Sequence, residues 1–220
     1  MGIDDARQPA DERESAGPIS LDDVTGAARG TLRVQILGPV RVWRHTTEVP
    51  LGPAGRRALL ALLALAENRP VSRPELVYGI WQDRPPKSVV SVIHTYVMHL
   101  RRILEPDRPR RMPGAIVTSA GDGYALRLPP GALDLDRHRE LAKAAAEARR
   151  EGDHRRAAAL LGQALALSNG PPAAGIPSLV GHPKVAAVRH ELMLTDTNYA
   201  DSMIQVGSAA ECLPLLEDGA

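Results

Sequence analysis

From residue 32 the hydrophobic and polar positions alternate in short runs, LRVQILG, VRVWR and TEVPL, interrupted at Gly38-Pro39 and His45-Thr46. Short β-prone runs between turn residues predict a small antiparallel sheet. At Pro53 the period lengthens. In GPAGRRALLALLALAENRP, Leu59, Leu60, Leu62, Leu63 and Leu65 form a wide apolar stripe with Arg56 and Arg57 outside it, which predicts a helix ending before Pro70. A second, shorter helix is predicted in SRPELVYGIW: Ser72 suits an N-cap, Pro74 is tolerated in the first turn, and Leu76, Val77, Ile80 and Trp81 face inward.

The next stretch, VVSVIHTYVMHLRRIL, has β-branched residues at seven of its sixteen positions and looks at first like a strand. The period decides otherwise. At 100° per residue, Val89, Val90, Val92, Ile93, Tyr96, Val97, Leu100, Ile103 and Leu104 share one face, and Ser91, His94, Thr95, Met98, His99, Arg101 and Arg102 share the other. At period 2 both faces are mixed, and a strand of that length would be exceptional. Burial of the apolar face therefore overrides weak helix propensity. Pro106 helps stop this helix, and AIVTSAGDGYALRLP then predicts two strands around Ser119 to Gly123, with Tyr124 covering the base of the hairpin. Strands, three helices and a hairpin are the order of a winged helix.

From Asp134 the texture is helical again. LDRHRELAKAAAEARREGDHRRAAALLGQALALSNG holds two amphipathic segments broken at Gly152-Asp153, a pair like a tetratricopeptide hairpin, in which small residues let helices approach closely. A loop, GPPAAGIPSLVGHP, precedes a second predicted pair over Lys184 to Val206 and Ala209 to Leu216. Residues 1–30 lack hydrophobic periodicity and predict a disordered acidic tail. The expected organisation is thus a tail over 1–30, a winged-helix domain over 31–130 and a partial all-α domain over 131–220. The fold class is mainly α with small β-sheets.

Charge sharpens this picture. The net charge is only +1, but Lys and Arg less Asp and Glu give 15 − 7 = +8 for residues 31–130, against 3 − 7 = −4 before them and 9 − 12 = −3 after. A localised positive field predicts a polyanionic partner, and the null alternative is a solvated Arg-rich surface. The outward face of Val89–Leu104 fits the first reading, since a helix enters the DNA major groove and Arg pairs with guanine or phosphate. Arg84, Lys87, Arg108, Arg110 and Arg111 bracket that helix and supply a second basic edge.

Other classes find little support. A single cysteine, Cys212, excludes an intramolecular disulfide framework and any Cys-built zinc site. No phosphate loop, HExxH or Gly-x-Ser-x-Gly elbow occurs, and His94 and His99 stand five apart, not the four that would place both over one metal. No catalytic residue, metal ligand or cofactor is expected. With no run of eighteen apolar residues and no basic-then-apolar N-terminus, the expectation is a soluble cytoplasmic protein without a membrane partner.

The run LGPAGRRALLALLALAENRPVSRPELVYGIW, followed by PP, HTYVMHLRRILEP and GDGYAL, resembles the OmpR-like winged helix of the Streptomyces antibiotic regulatory protein family. The following LDLDRHRELAKAAAEARREGDHRRAAALLGQALAL is similar to the start of that family's bacterial transcriptional activation domain. The resemblance implies a sequence-specific regulator that activates a secondary-metabolite cluster, binds direct repeats as a dimer on double-stranded DNA, and contacts RNA polymerase. It assigns Lys87, Ser91, His94, Thr95, Met98, His99, Arg101 and Arg102 to the DNA-facing recognition helix and its approach, Ser119 to Tyr124 to the wing, and Gln82, Asp83 and Arg84 to a polymerase-contacting loop. Within the wing, Ser119 and Tyr124 are the expected contacts. Three departures stand against it: relatives often place a basic residue where His99 stands and a polar or basic one at Met98; Asp122 replaces wing charge with repulsion; and family activation domains usually continue past the position of Ala220, so the last helical pair is expected to lack a cap. The rival expectation is a weakly DNA-binding helical-repeat protein that modulates a related regulator through mixed dimers.

Overall fold

The alternating runs form strands, but shorter ones than their apolar content suggests. In the computed structural model, which describes residues 32–109 and 112–207, β1 (Leu32–Gln35), β2 (Arg41–Arg44) and β3 (Thr47–Glu48) make an antiparallel sheet in that order. The tail over 1–30, Arg110, Arg111 and the expected helix over Ala209 to Leu216 lie outside the described residues. Val34 pairs with Val42 on the buried face, while on the other face the Arg33 guanidinium sits 4.1 Å over the Trp43 ring. Ile36 and Leu37 are buried yet leave the β1–β2 ladder.

Helix α1 (Ala54–Ala64) is buried more completely than a one-sided stripe predicts: every residue from Ala58 to Ala66 is buried. The reason is its central place, touched by helices α2 (Arg73–Trp81) and α3 (Val89–Leu104) and by the last strand of the hairpin. α2 begins as expected, with Ser72 Oγ accepting from the Glu75 amide at 3.3 Å and Pro74 in the first turn. Gly79 lets α1 and α2 meet, since a Cβ there would stand 2.6 Å from Leu62 Cδ1. The rings of Trp81 and Tyr96 stack at 6.2 Å and lock α2 to α3.

The hairpin pairs β4 (Val117–Ala120) with β5 (Gly123–Leu126) across a turn in which Gly121 has φ +58°. Its base is tied back into the fold, because Val71 and Tyr124 exchange both backbone hydrogen bonds, 2.8 and 3.0 Å.

The helical half is a two-helix hairpin, α4 (Asp134–Arg150) and α5 (His154–Leu165), joined at Gly152 and capped by Asp153, whose carboxylate accepts from the Arg156 amide at 2.9 Å. Buried Ala145, Ala148, Ala157, Ala158 and Ala164 account for their close approach. A 3-10 turn (Pro177–Leu179) leads to α6 (Pro183–Val206), which packs on α5 and ends at Gly207 with φ +82°.

The two halves share one core, and the sheet's first strand is laced into the second half by backbone. The Val34 amide donates to Ala132 O, the Asn169 amide to Leu37 O and the Ala173 amide to Ile36 O, at 2.7, 2.7 and 2.9 Å. Asp134 completes the joint by accepting from the amides of Ile36 and Leu37. Surface pairs continue it, Lys184 with Glu75 at 2.6 Å and Arg139 with both Glu67 and Glu191. Among the described residues no helix is long and apolar enough to cross a membrane.

Candidate nucleic-acid interface

α3 is a helix over the full predicted span, and its apolar side enters the core through buried Ile93, Val97, Leu100 and Leu104. Val89, Val92, Tyr96 and Ile103 are half-buried. Val90 departs from the expectation: it is 46% exposed, at the rim of an open groove beside α2. Gly55 allows α3 to lie against the start of α1, since a Cβ there would come within 2.8 Å of the Tyr96 hydroxyl.

The outward side carries the residues the sequence singled out, in different circumstances. Ser91, His94, Thr95, Met98 and Arg102 are exposed. Thr95 spends its hydroxyl hydrogen on Ser91 O at 2.9 Å, so outward it offers lone pairs and a methyl group. Such a group accepts from a base amino group or packs on a thymine methyl. His99 is half-buried beside Arg56 and Arg102; desolvation first, then these two cations, hold its imidazole below the ordinary 6.5. Arg56 was placed by sequence only outside the α1 stripe. Its closeness to His99 adds a cation to this face that no local pattern along α3 reveals.

Two of the expected contacts are less open than the rest. Tyr124 is 7% exposed, its backbone laddered to Val71 and its ring met edge-on by His94 at 6.5 Å, so little of its side chain reaches the surface. Arg101, half-buried, is turned to the hairpin: Nε donates to Val117 O at 2.8 Å and Nη2 to Ser119 Oγ at 3.1 Å. Just past the end of α3, the Glu105 carboxylate accepts from the amides of Ala115, Ile116 and Val117 at 3.0, 2.6 and 3.1 Å. At the wing tip Arg73 of α2 donates to Asp122 O. Ser119 itself is exposed beside the tip.

In the loop before α3, Asp83, Arg84 and Lys87 are exposed, whereas Gln82 donates from Nε2 to Ser178 O at 3.3 Å. Gln82 is therefore engaged with the helical half. An open groove of about 630 Å³ lies between this loop and the wing, lined by Arg73, Pro74, Val77, Tyr78, Val90 and Asp122 among others, with Tyr78 62% exposed. Among the described residues no group of three or more His, Cys, Asp or Glu is arranged to hold a metal.

Residues 46–126 match the family described as "Transcriptional regulatory protein, C terminal", and residues 133–219 match "Bacterial transcriptional activator domain". The chain is 40% identical over 170 residues to the regulatory protein AfsR of Streptomyces coelicolor, covering 77% of this chain and 15% of that protein. It is 30% identical over 183 residues to the transcriptional regulatory protein EmbR of Mycobacterium tuberculosis, covering 83% of this chain and 47% of that one. A solved structure of M. tuberculosis EmbR in complex with a low-affinity phosphopeptide superposes with a TM-score of 0.77 at 29% identity, over 86% of this chain and 49% of that chain. The chain thus spans less than half the length of these relatives.

Proposed function

With both matched domains in one chain, the protein belongs to the Streptomyces antibiotic regulatory protein family of transcriptional regulators, and from that premise we propose that it activates a secondary-metabolite gene cluster by reading direct repeats near promoters and contacting RNA polymerase. The observation that carries this reading is the exposed polar side of α3, flanked by the wing on one edge and by Arg56 on the other. On this reading Ser91, His94 and Thr95 lie nearest base edges, Met98 packs against them, and Arg102, Arg56, His99 and Lys87 hold phosphates. Asp83 and Arg84 are the polymerase contacts, with Gln82 anchoring their loop to the helical half. Two copies bind the repeats side by side.

The test is binding to promoter fragments of the chain's own genomic neighbourhood at several salt concentrations. A specific regulator selects fragments with tandem repeats, and its log affinity falls with log salt by about 0.9 per phosphate held. Equal affinity for unrelated DNA sinks the reading. In transcription with purified polymerase, Asp83→Ala and Arg84→Ala should lower activation while leaving DNA affinity intact.

Met98 at the recognition face brings no cation to a phosphate and Asp122 at the wing tip repels one, and they favour one rival, a helical-repeat interaction protein acting through mixed dimers. That rival predicts association with a related regulator without site preference on DNA.

A further inference from the structure

We propose that Arg101 is a positioning residue that holds the wing against the recognition helix and is not a phosphate ligand. The inference rests on the reading that α3 and the wing meet DNA together. It starts from the shape of β4. One edge of that strand pairs with β5; among the described residues the other has no strand beside it. That open edge is satisfied by two side chains four residues apart, Arg101 in the last turn of α3 and Glu105, the residue that caps its C-terminus. At Val117 both backbone groups are taken, the amide by Glu105 and the carbonyl by Arg101. A cation from the helix and an anion from its C-cap thus substitute for a neighbouring strand.

The site is built for that guanidinium. Gly114 lies where a Cβ would stand 2.6 Å from Arg101 Nε and would also strike Val117 O, so the chain turns past the side chain only because position 114 has none. Arg101 uses Nε and Nη2 on two acceptors two residues apart along β4, a forked geometry that an ammonium lacks. The wing, meanwhile, has no cation between Val117 and Leu126. What it offers DNA is the Ser119 hydroxyl and the amides of its turn, short groups whose reach depends on where the hairpin is held. Arg102, its neighbour in sequence, is exposed and makes no such bond.

Arg101→Ala, Arg101→Lys and Arg102→Ala in the full chain separate the two roles. Backbone amide exchange is measured in the free protein, and salt-dependent binding on a promoter fragment with tandem repeats. Arg101→Ala is expected to speed exchange across Val117–Leu126 while α1 amides stay protected, and to weaken binding about tenfold with the salt slope unchanged. Arg101→Lys, which keeps the charge, should behave like the alanine variant. Arg102→Ala should lower the salt slope by about one and leave hairpin exchange alone. The proposal is overturned if Arg101→Ala lowers the slope as Arg102→Ala does, or if Arg101→Lys restores both affinity and exchange. Should wild-type protein show no site preference on DNA, the functional reading fails but exchange still decides: a loosened hairpin in Arg101→Ala upholds the strut, and an unchanged hairpin removes it.

Discussion

Replacing Asp134 with alanine strikes the joint between the first sheet and the helical half. The Asp134 carboxylate takes the Ile36 amide with both oxygens, at 3.0 and 2.9 Å, and the Leu37 and Leu135 amides at 2.8 Å each. Ile36 and Leu37 are 1% and 0% exposed, so their amides have no water to turn to once the carboxylate is gone. Each stranded donor costs about 1–3 kcal/mol, so the pair costs about 2–6 kcal/mol. Against a typical domain stability of about 5–15 kcal/mol that is a large share. Urea unfolding followed by the fluorescence of Trp43 and Trp81, with far-ultraviolet circular dichroism for the helices, should show one transition moved to lower urea by all probes. Asp134→Asn adds a pH signature. Burial, outweighing the three amide donors, pushes the Asp134 carboxyl from an ordinary 3.8 up to about 6. The folded state therefore holds this proton more tightly than the unfolded one; its contribution to stability is full below about pH 3.8 and is lost as pH rises through about 6. The stability of wild type relative to Asp134→Asn should accordingly shrink between about pH 4 and about pH 6 and level off above that. An alanine variant within about 0.5 kcal/mol of wild type, or helices that unfold apart from the two tryptophans, would refute the account of the joint.

Three other outcomes follow from named contacts. Leu100→Ala leaves a cavity under α3 and should cost about 2–5 kcal/mol in urea unfolding. Thr95→Val keeps shape and methyl but removes the lone pairs aimed outward, so selection from random DNA should return an altered base preference with nearly unchanged stability. His138 is buried with Nε2 3.1 Å from Thr195 Oγ1, whose hydrogen goes to Glu191 O, so the imidazole donates through Nε2 and keeps Nδ1 bare. Desolvation first lowers its pKa below 6.5, so folding favours the neutral ring and its contribution is lost as pH falls below about 6.5; melting at pH 7.5 and pH 5.5 should show a steeper acid loss for wild type than for His138→Gln.

Periodicity reached as far as each element's own face. It separated the buried side of α3 from Ser91, His94, Thr95 and Arg102 because a helix repeats its environment every turn, and it found the Ser72 cap because that bond is local. It missed what depends on a partner far along the chain. Ile36 and Leu37 look like the end of a strand, yet they bond to residues near 134 and 170 through backbone groups that leave no mark on side-chain pattern. Tyr124 is expected to cover the hairpin base, but the backbone ladder to Val71 that ties it there is not legible in the sequence.

Arg101 shows the same limit most sharply. By angle it belongs with Arg102 on the solvent side, and by length its side chain can bend round to the hairpin. Which of the two it does is decided by an open strand edge and by the missing Cβ of Gly114, thirteen residues away. Two adjacent arginines, alike in charge and in helical face, are therefore separated by what stands beside them: one bonds to the hairpin, and the other stays exposed.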